Sequence, residues 1–568
     1  VTVARARPYR LGKRIASALA ASAIVASAVP AAPASAPVLG VQTHFAQGWP
    51  GSRLDLARSA AAPSLRDAVP WAWVETVPGR YDLATPGIAP LDTFCAKGGT
   101  LLLTAVPLNP LYDGGGALRS PPARSAFAGY LLALQDHFGS CLVAIEIGNE
   151  VNASKSRQIY RTGETGGDPL RDYVDLVKTA HDAFRARHAA AKILGGSSNM
   201  IATGFLNTLF ARGLLDAVDG IAVHPYRSQV ENIDVELAHL DAVMRRHGRV
   251  VPVWATEFSD NYPAPQNAAP QLVKAATLLA ASGLEAAYWY ALVDQKWFRN
   301  MGLFDANGGE KPAARAFRLV QRELLAHGRP QRVDTGDGNV RLYRFGTDAW
   351  VAWGASGRIA FDAAARLYDA QGHALAGTEA DLGDDPVVAT GSPRFRFTPG
   401  PVVADSLFGY GTPEWSYLAR KADGSDRPLG WLDGQWTSQH GDRLLRPLWI
   451  ADVAGTPAGG GQSAVSVVVR YTAPSALTVA LAACIDKRPG GDGIAVSLRR
   501  GTTELASALV TDGRRFTLRN LALKAGDTLD LVVGPNAAPG SDGFRYRIRI
   551  AAEPHIADAE CPTRPAKV

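Results

Sequence analysis

Ala144-Ile-Glu-Ile-Gly-Asn-Glu-Val-Asn152 reads as a short buried strand that ends on a carboxylate, Glu150. Val251-Pro-Val-Trp-Ala-Thr-Glu-Phe-Ser259 repeats the pattern with Glu257, 107 positions further along. Apolar runs this short, bounded by turn residues, fit strands buried on both faces of a parallel sheet. In a closed barrel of such strands, the residues at the C-terminal ends face one shared site. Two carboxylates on that rim form a working pair for acid and nucleophilic chemistry.

Working outward, six more runs of the same kind flank these two: Leu39-Gly-Val-Gln-Thr, Ser64-Leu-Arg, Leu101-Leu-Leu-Thr, Lys192-Ile-Leu-Gly, Gly220-Ile-Ala-Val and Ala286-Ala-Tyr-Trp-Tyr. Helix-length amphipathic stretches lie between most of them, such as Tyr173 to His188, Val235 to His247 and Gln271 to Ser282, and Pro312 to His327 follows the last. Eight alternations in residues 37–329 fit an α/β fold of the (β/α)8 TIM-barrel type. No Gly-rich dinucleotide turn follows the first run, which argues against an open nucleotide-binding sheet.

Beyond the barrel the helical period stops. Residues 330–392, with Val340-Arg-Leu-Tyr-Arg-Phe and Ala349-Trp-Val-Ala-Trp, predict a small accessory all-β domain. A Pro-rich joint from Ser392 to Val402 leads into residues 393–568, whose alternating strands predict a C-terminal β-sandwich or jelly roll. Its aromatic residues Phe408, Tyr410, Trp415, Tyr417, Trp431, Trp436 and Trp449 make it a candidate carbohydrate-binding module, with core packing as the alternative. The Gly491-Asp-Gly and Ser541-Asp-Gly turns offer calcium-type ligands, but Asp-Gly is first of all a turn dipeptide. Neither a required metal nor a cofactor is predicted.

The first 36 residues have the make-up of a signal peptide: Arg5, Arg7, Arg10, Lys13 and Arg14, then an apolar and small-residue stretch, then Ala-Pro-Ala and Ala-Ser-Ala. Without them the chain carries 54 basic and 53 acidic side chains, so the formal charge of +6 belongs mostly to this segment. Composition therefore supports neither a nucleic-acid-binding face nor a membrane span after signal removal. The expectation is an exported protein, periplasmic or extracellular, acting as a monomer. Export is consistent with four cysteines forming disulfides. Cys95 and Cys141 stand just before neighbouring strands and are expected to pair, leaving Cys484 with Cys561.

Asn149-Glu150 on strand four with Glu257 on strand seven resembles the clan of retaining (β/α)8 glycoside hydrolases, over Gly40 to Phe317. Arg66-Asp-Ala-Val-Pro-Trp71 and Met301-Gly-Leu-Phe-Asp-Ala-Asn-Gly-Gly-Glu-Lys-Pro312 fit the same resemblance, which is nearest to family 39 and its bacterial exopolysaccharide endoglycosidases. Gly148 before Asn149 and Val151 after Glu150 depart from the usual aromatic-Asn-Glu-Pro pattern, which leaves families 5 and 51 as alternatives.

The resemblance implies hydrolysis of glycosidic bonds in a polysaccharide or oligosaccharide with retained configuration. Glu150 would be acid and base, with its pKa raised by the nearby Glu257 as nucleophile. It also implies that Asn149 meets the sugar 2-hydroxyl, Tyr226 holds Glu257 and His224 ties the network together. Arg66 is a candidate for keeping Glu257 ionised, against the alternative of pairing with Asp67 or Glu75. Trp289 is a candidate sugar platform, and His44, Trp73 and Trp297 are candidates for outer subsites. Glu75 is expected to anchor the strand-two loop. Endo cleavage is the leading expectation. Exo-acting β-glycosidase or transglycosidase activity, and a catalytically silent carbohydrate-binding matrix protein, are the alternatives.

Overall fold

The computed structural model describes residues 36–153, 156–161, 167–460, 463–537, 540–555 and 558–562. The expected signal peptide lies, up to residue 35, outside the described residues. Eight parallel strands close on themselves in sequence order: β1 Val38–Gln42, β2 Ser64–Ala68, β3 Thr100–Ala105, β4 Leu142–Ile147, β5 Lys192–Asn199, β6 Gly220–His224, β7 Val253–Phe258 and β8 Ala286–Trp289. β8 pairs back onto β1, with Trp289 opposite Val41.

Side chains alternate across each strand, and the two faces have different surroundings. Leu102, Ala144, Leu194, Ala222, Trp254, Ala286 and Tyr288 fill the barrel interior as one cluster. Their neighbours Leu101, Leu103, Ile145, Ile147, Ala255, Ala287 and Trp289 face outward into the larger core shared with the helices. Three register shifts interrupt the barrel ladders, one of them between β3 and β4 at Leu101/Leu102. One extra residue enters β7 between Ala255 and Phe258, and another enters β5 between Gly195 and Ser198. Bulges of this kind re-aim side chains beside functional sites. Here the one in β7 turns Glu257 into the barrel mouth although Thr256, its neighbour, also points inward to Glu146.

The small β-domain forms two sheets. The larger has six strands, including Val340–Phe345, Ala349–Gly354 and Val387–Thr390. Phe395–Thr398 pairs with Arg358–Phe361 in the second, so this domain extends past residue 392 into the expected Pro-rich joint. The C-terminal module is an antiparallel sandwich of an eight-stranded and a six-stranded sheet. Phe408, Tyr410, Trp415 and Tyr417 are buried in its core or at its contact with the barrel, while Trp431 and Trp449 are half-buried. Among the described residues, four of the seven aromatics considered for glycan binding are thus buried in packing, which leaves Trp436 as the one exposed ring of the set.

Both disulfides form as expected, Cys95–Cys141 and Cys484–Cys561, with Cα atoms 5.6 and 5.3 Å apart. The two Asp-Gly turns meet around a cation of the chain itself: Lys487 Nζ donates to Arg488 O, Gly490 O and Ser541 O. No helix among the described residues is long and apolar enough to cross a membrane.

Candidate active site

Glu150 and Glu257 open into one cavity of about 550 Å³ at the C-terminal mouth of the barrel. Gln42, His44, Arg66, Asn149, Asn199 and Tyr226 share its lining. The chain reaches this geometry through backbone conformations that the sequence permits only locally. Gly148 has φ +84°, and a Cβ there would lie 2.5 Å from Val151 Cγ1. An aromatic residue at this position, as in the usual pattern, would not fit. Glu150 itself adopts φ +47°, a left-handed conformation that costs a non-glycine residue about 1 kcal/mol.

Beneath the cavity lies a sealed network built on a residue that sequence reading missed. Glu146, four residues before Glu150 and fully buried, accepts from Arg66 Nε at 2.9 Å and from Arg66 Nη2 at 2.8 Å. Thr104 and Thr256 donate to it at 3.2 and 3.0 Å. Burial would raise its pKa, but Arg66 and His224 outweigh that and hold it at about 2. An acidic residue in the middle of an apolar strand was the available signal, since a buried charge requires a partner.

Arg66 also donates to Glu257 Oε1, and Tyr226 Oη donates to Glu257 Oε2. Arg66 donates as well to Gln42 Oε1 and, at 3.1 Å, to Asn149 Oδ1. Arg66 thus joins the floor to the rim, and it pairs with neither Asp67 nor Glu75. Asp67 instead receives Thr43 Oγ1 at 2.6 Å and Phe45 N at 2.7 Å, fixing the loop that carries His44. Burial still lifts Asp67 to about 6. Glu75 anchors its loop by accepting from Trp71, Gly79 and Tyr112.

His224 stands between three carboxylates. Its Nδ1 is 3.3 Å from Glu150 Oε1 and 3.5 Å from Glu257 Oε2, and its Nε2 is 3.3 Å from Glu146 Oε1. Burial alone would lower its pKa; the charge of Glu257 and the bonds to Glu146 and Glu150 reverse that and raise it to about 9. Glu150 responds in the opposite sense. Burial pushes it up, but His224, Asn199 and Arg66 hold it below the ordinary carboxylate value. The raised acid expected from like-charge repulsion is therefore absent from the free site, because a cationic histidine stands between the two glutamates.

Glu150, His224 and Glu257 bring possible ligand atoms within 4.8 Å of one another, the one such group among the described residues. A protonated His224 has no lone pair to give, so an ion at this group would have to displace that proton. The arrangement suits proton handling.

The other expected contacts divide. His44 lines the cavity, with its ring edge-on to Trp49 and Tyr290. Burial holds its pKa below the ordinary value. Trp289 is not a sugar platform. It lies on the outward face of β8, fully buried, and donates Nε1 to Met301 O at 2.8 Å. Tyr290, one residue later, lines the cavity in its place. Trp297 is 66% exposed under Lys296, outside the cavity lining, where Phe298 stands. Asn199, Asp260 and Asn261 also line the cavity and were not anticipated.

No protein-family model matches this sequence, and no curated protein matches it. Among solved structures, a family 39 glycoside hydrolase from the gut symbiont Bacteroides cellulosilyticus WH2 has a TM-score of 0.53 and 19% identity, covering 62% of this chain and 81% of that one. A GH30 endoxylanase from Clostridium papyrosolvens C71 gives 0.46 at 15% identity, over 63% of this chain and 97% of that one. A GH39 β-xylosidase from Caulobacter crescentus gives 0.45 at 15% identity, over 64% and 98%. The likeness to the first is a likeness of fold, and it agrees with the barrel described above.

Proposed function

We propose that this protein is a retaining glycoside hydrolase, with Glu257 as nucleophile and Glu150 as acid and base. The observation that carries the proposal is the pair of carboxylates at the ends of β4 and β7, with oxygens within 4.8 Å in one cavity. Retaining enzymes place their two carboxyl groups about 5–5.5 Å apart, whereas inverting ones leave room for a water between them.

Attack by Glu257 on the anomeric carbon forms a glycosyl ester as the leaving oxygen takes a proton from Glu150. Water, deprotonated by Glu150, then releases the sugar with its configuration retained. Arg66 and Tyr226 each donate to one oxygen of Glu257 and so fix its orientation.

The acid proton comes from the same network. In the free site it rests on His224, 3.3 Å from Glu150 Oε1. Moving it to Glu150 leaves the net charge of the cluster unchanged. Desolvation by a bound sugar favours that transfer, because it turns an exposed carboxylate into a neutral acid.

We further propose endo cleavage of a polysaccharide by an exported enzyme, with bacterial exopolysaccharides among the candidate substrates. Supporting the endo mode, Gln47 lines both the catalytic cavity and a neighbouring depression of about 380 Å³ that holds the exposed Trp73. This adjoining depression offers room for sugar units beyond the one at the carboxylates. Two disulfides support export.

The test is incubation with a panel of plant and bacterial polysaccharides, with fragment masses and product anomers followed by mass spectrometry and NMR. Oligosaccharides of the starting anomeric configuration are expected. Monosaccharide release alone would refute the endo mode, inverted products would refute the assignment of Glu257, and no release from any glycan would refute hydrolysis.

A further inference from the structure

The C-terminal module reaches the barrel on the Glu150 side, behind the residues that line the cavity. Strands Gly430–Asp433 and Ser438–Gly441 form a hairpin whose turn lies against the barrel helix Thr203–Phe210. The approach is close enough to require glycine. A Cβ on Gly204 would lie 2.5 Å from Gly434 O and 2.8 Å from Asp433 O. The hairpin is anchored behind its turn as well, with Asp433 Oδ1 2.7 Å from His239 Nε2 and Trp431 stacked on the His239 ring at 4.3 Å.

Its tip residue, Gln435, makes a reciprocal pair with Asn152 of the loop that follows Glu150. Asn152 Nδ2 donates to Gln435 O at 2.9 Å, and Gln435 Nε2 donates to Asn152 O. Asn152 is fully buried and is itself locked to Asn199, accepting from Asn199 N at 2.9 Å and donating to Asn199 O at 3.1 Å. Asn199 Nδ2 in turn donates to Glu150 Oε1 at 2.7 Å. Hydrogen bonds thus run without a break from the C-terminal module to the carboxylate. They hold a segment that has reason to relax, since Glu150 sits in a left-handed conformation.

We propose that Gln435 is a positioning residue for Glu150, so that the C-terminal module braces the active site from behind its lining and is not a separable appendage. The proposal rests on the reading of Glu150 as acid and base. A misplaced acid slows departure of a leaving group that needs a proton and spares one that does not. A lost sugar contact or a general loosening of the fold slows both.

The test compares the full-length protein with Gln435→Ala and, from the opposite side of the contact, Gly204→Ala. The probes are phenyl and 2,4-dinitrophenyl glycosides of a sugar that the wild type accepts. In both variants kcat/KM is expected to fall about fivefold to tenfold on the phenyl glycoside, the size of one lost hydrogen bond or slightly more, and to stay within about twofold on the dinitrophenyl glycoside. Equal losses on both substrates would overturn the proposal. Hydrogen–deuterium exchange supplies a second readout: the amides of residues 149–153 should exchange faster in both variants than in wild type. Unchanged protection would overturn the proposal by itself. If wild type cleaves no glycoside, the proposed function fails separately, and the holding of the Glu150 segment is judged by exchange alone.

Discussion

β4 and the turn that follows it carry two glutamates four residues apart whose surroundings differ. Glu146 lies in a dry floor, saturated by Arg66, Thr104, Thr256 and His224, with no exposed surface. Glu150 lies on the rim with about a third of its side chain exposed, held by Asn199 and His224. The floor residue is locked in one protonation state over the usual pH range. The rim residue is held below the ordinary carboxylate value by its neighbour His224, whose own pKa is raised. Depth below the cavity, more than residue type, separates the structural ion from the one proposed to be catalytic.

Removing each carboxylate is the sharpest way to test that contrast. Glu146→Ala should cost about 3–5 kcal/mol in urea unfolding, because it leaves Arg66 buried and short of a partner. Glu150→Ala should stay within about 1 kcal/mol of wild type, because the buried His224 keeps Glu146 and Glu257 as partners and the lost carboxylate was itself a third exposed. Equal losses would erase the distinction between floor and rim.

Acidity tests it next. kcat/KM should fall as pH rises through about 9, where the cluster around His224 loses its proton, since kcat/KM reports the free enzyme. Stability should follow the same sign. The raised histidine contributes stability fully below about 6.5, and this is lost as pH rises through about 9. The depressed Glu146 contributes stability above about 4.5, lost as pH falls toward about 2. An alkaline limb near 6.5 in the pH–rate profile would show that His224 does not hold the cluster's proton.

The smallest effect concerns two adjacent aromatics. Trp289→Phe should lower stability by about 1–3 kcal/mol through lost packing and leave KM within about twofold, because the ring faces the helices. A large rise in KM would place that ring in the sugar site after all.

What was legible in the sequence follows from the same geometry. Parallel strands covered on both faces read as apolar runs, so all eight appeared, and with them the strand ends bearing Glu150, His224 and Glu257. The cysteine pairing followed from the order of those strands. Trp289 was misread because one residue of register decides which face a side chain takes, and Tyr290 is the ring that reaches the cavity. The bulges in β5 and β7 have no clear sequence mark beyond Gly195 and Gly196. Contact between Asn152 and Gln435 joins residues far apart in the chain and was out of reach of motif or periodicity. The strand Phe395–Thr398 was hidden within a stretch whose prolines suggested a joint.

The separate roles of Glu150 and Glu257 are tested most directly by azide rescue of the two alanine variants on a 2,4-dinitrophenyl glycoside that wild type cleaves. In Glu257→Ala, azide should replace the nucleophile and give a glycosyl azide of inverted configuration. In Glu150→Ala, the glycosyl-enzyme should still form on Glu257, and azide should intercept it to give an azide of retained configuration. Two products of the same configuration, or wild-type turnover by either variant without azide, would contradict the assignment.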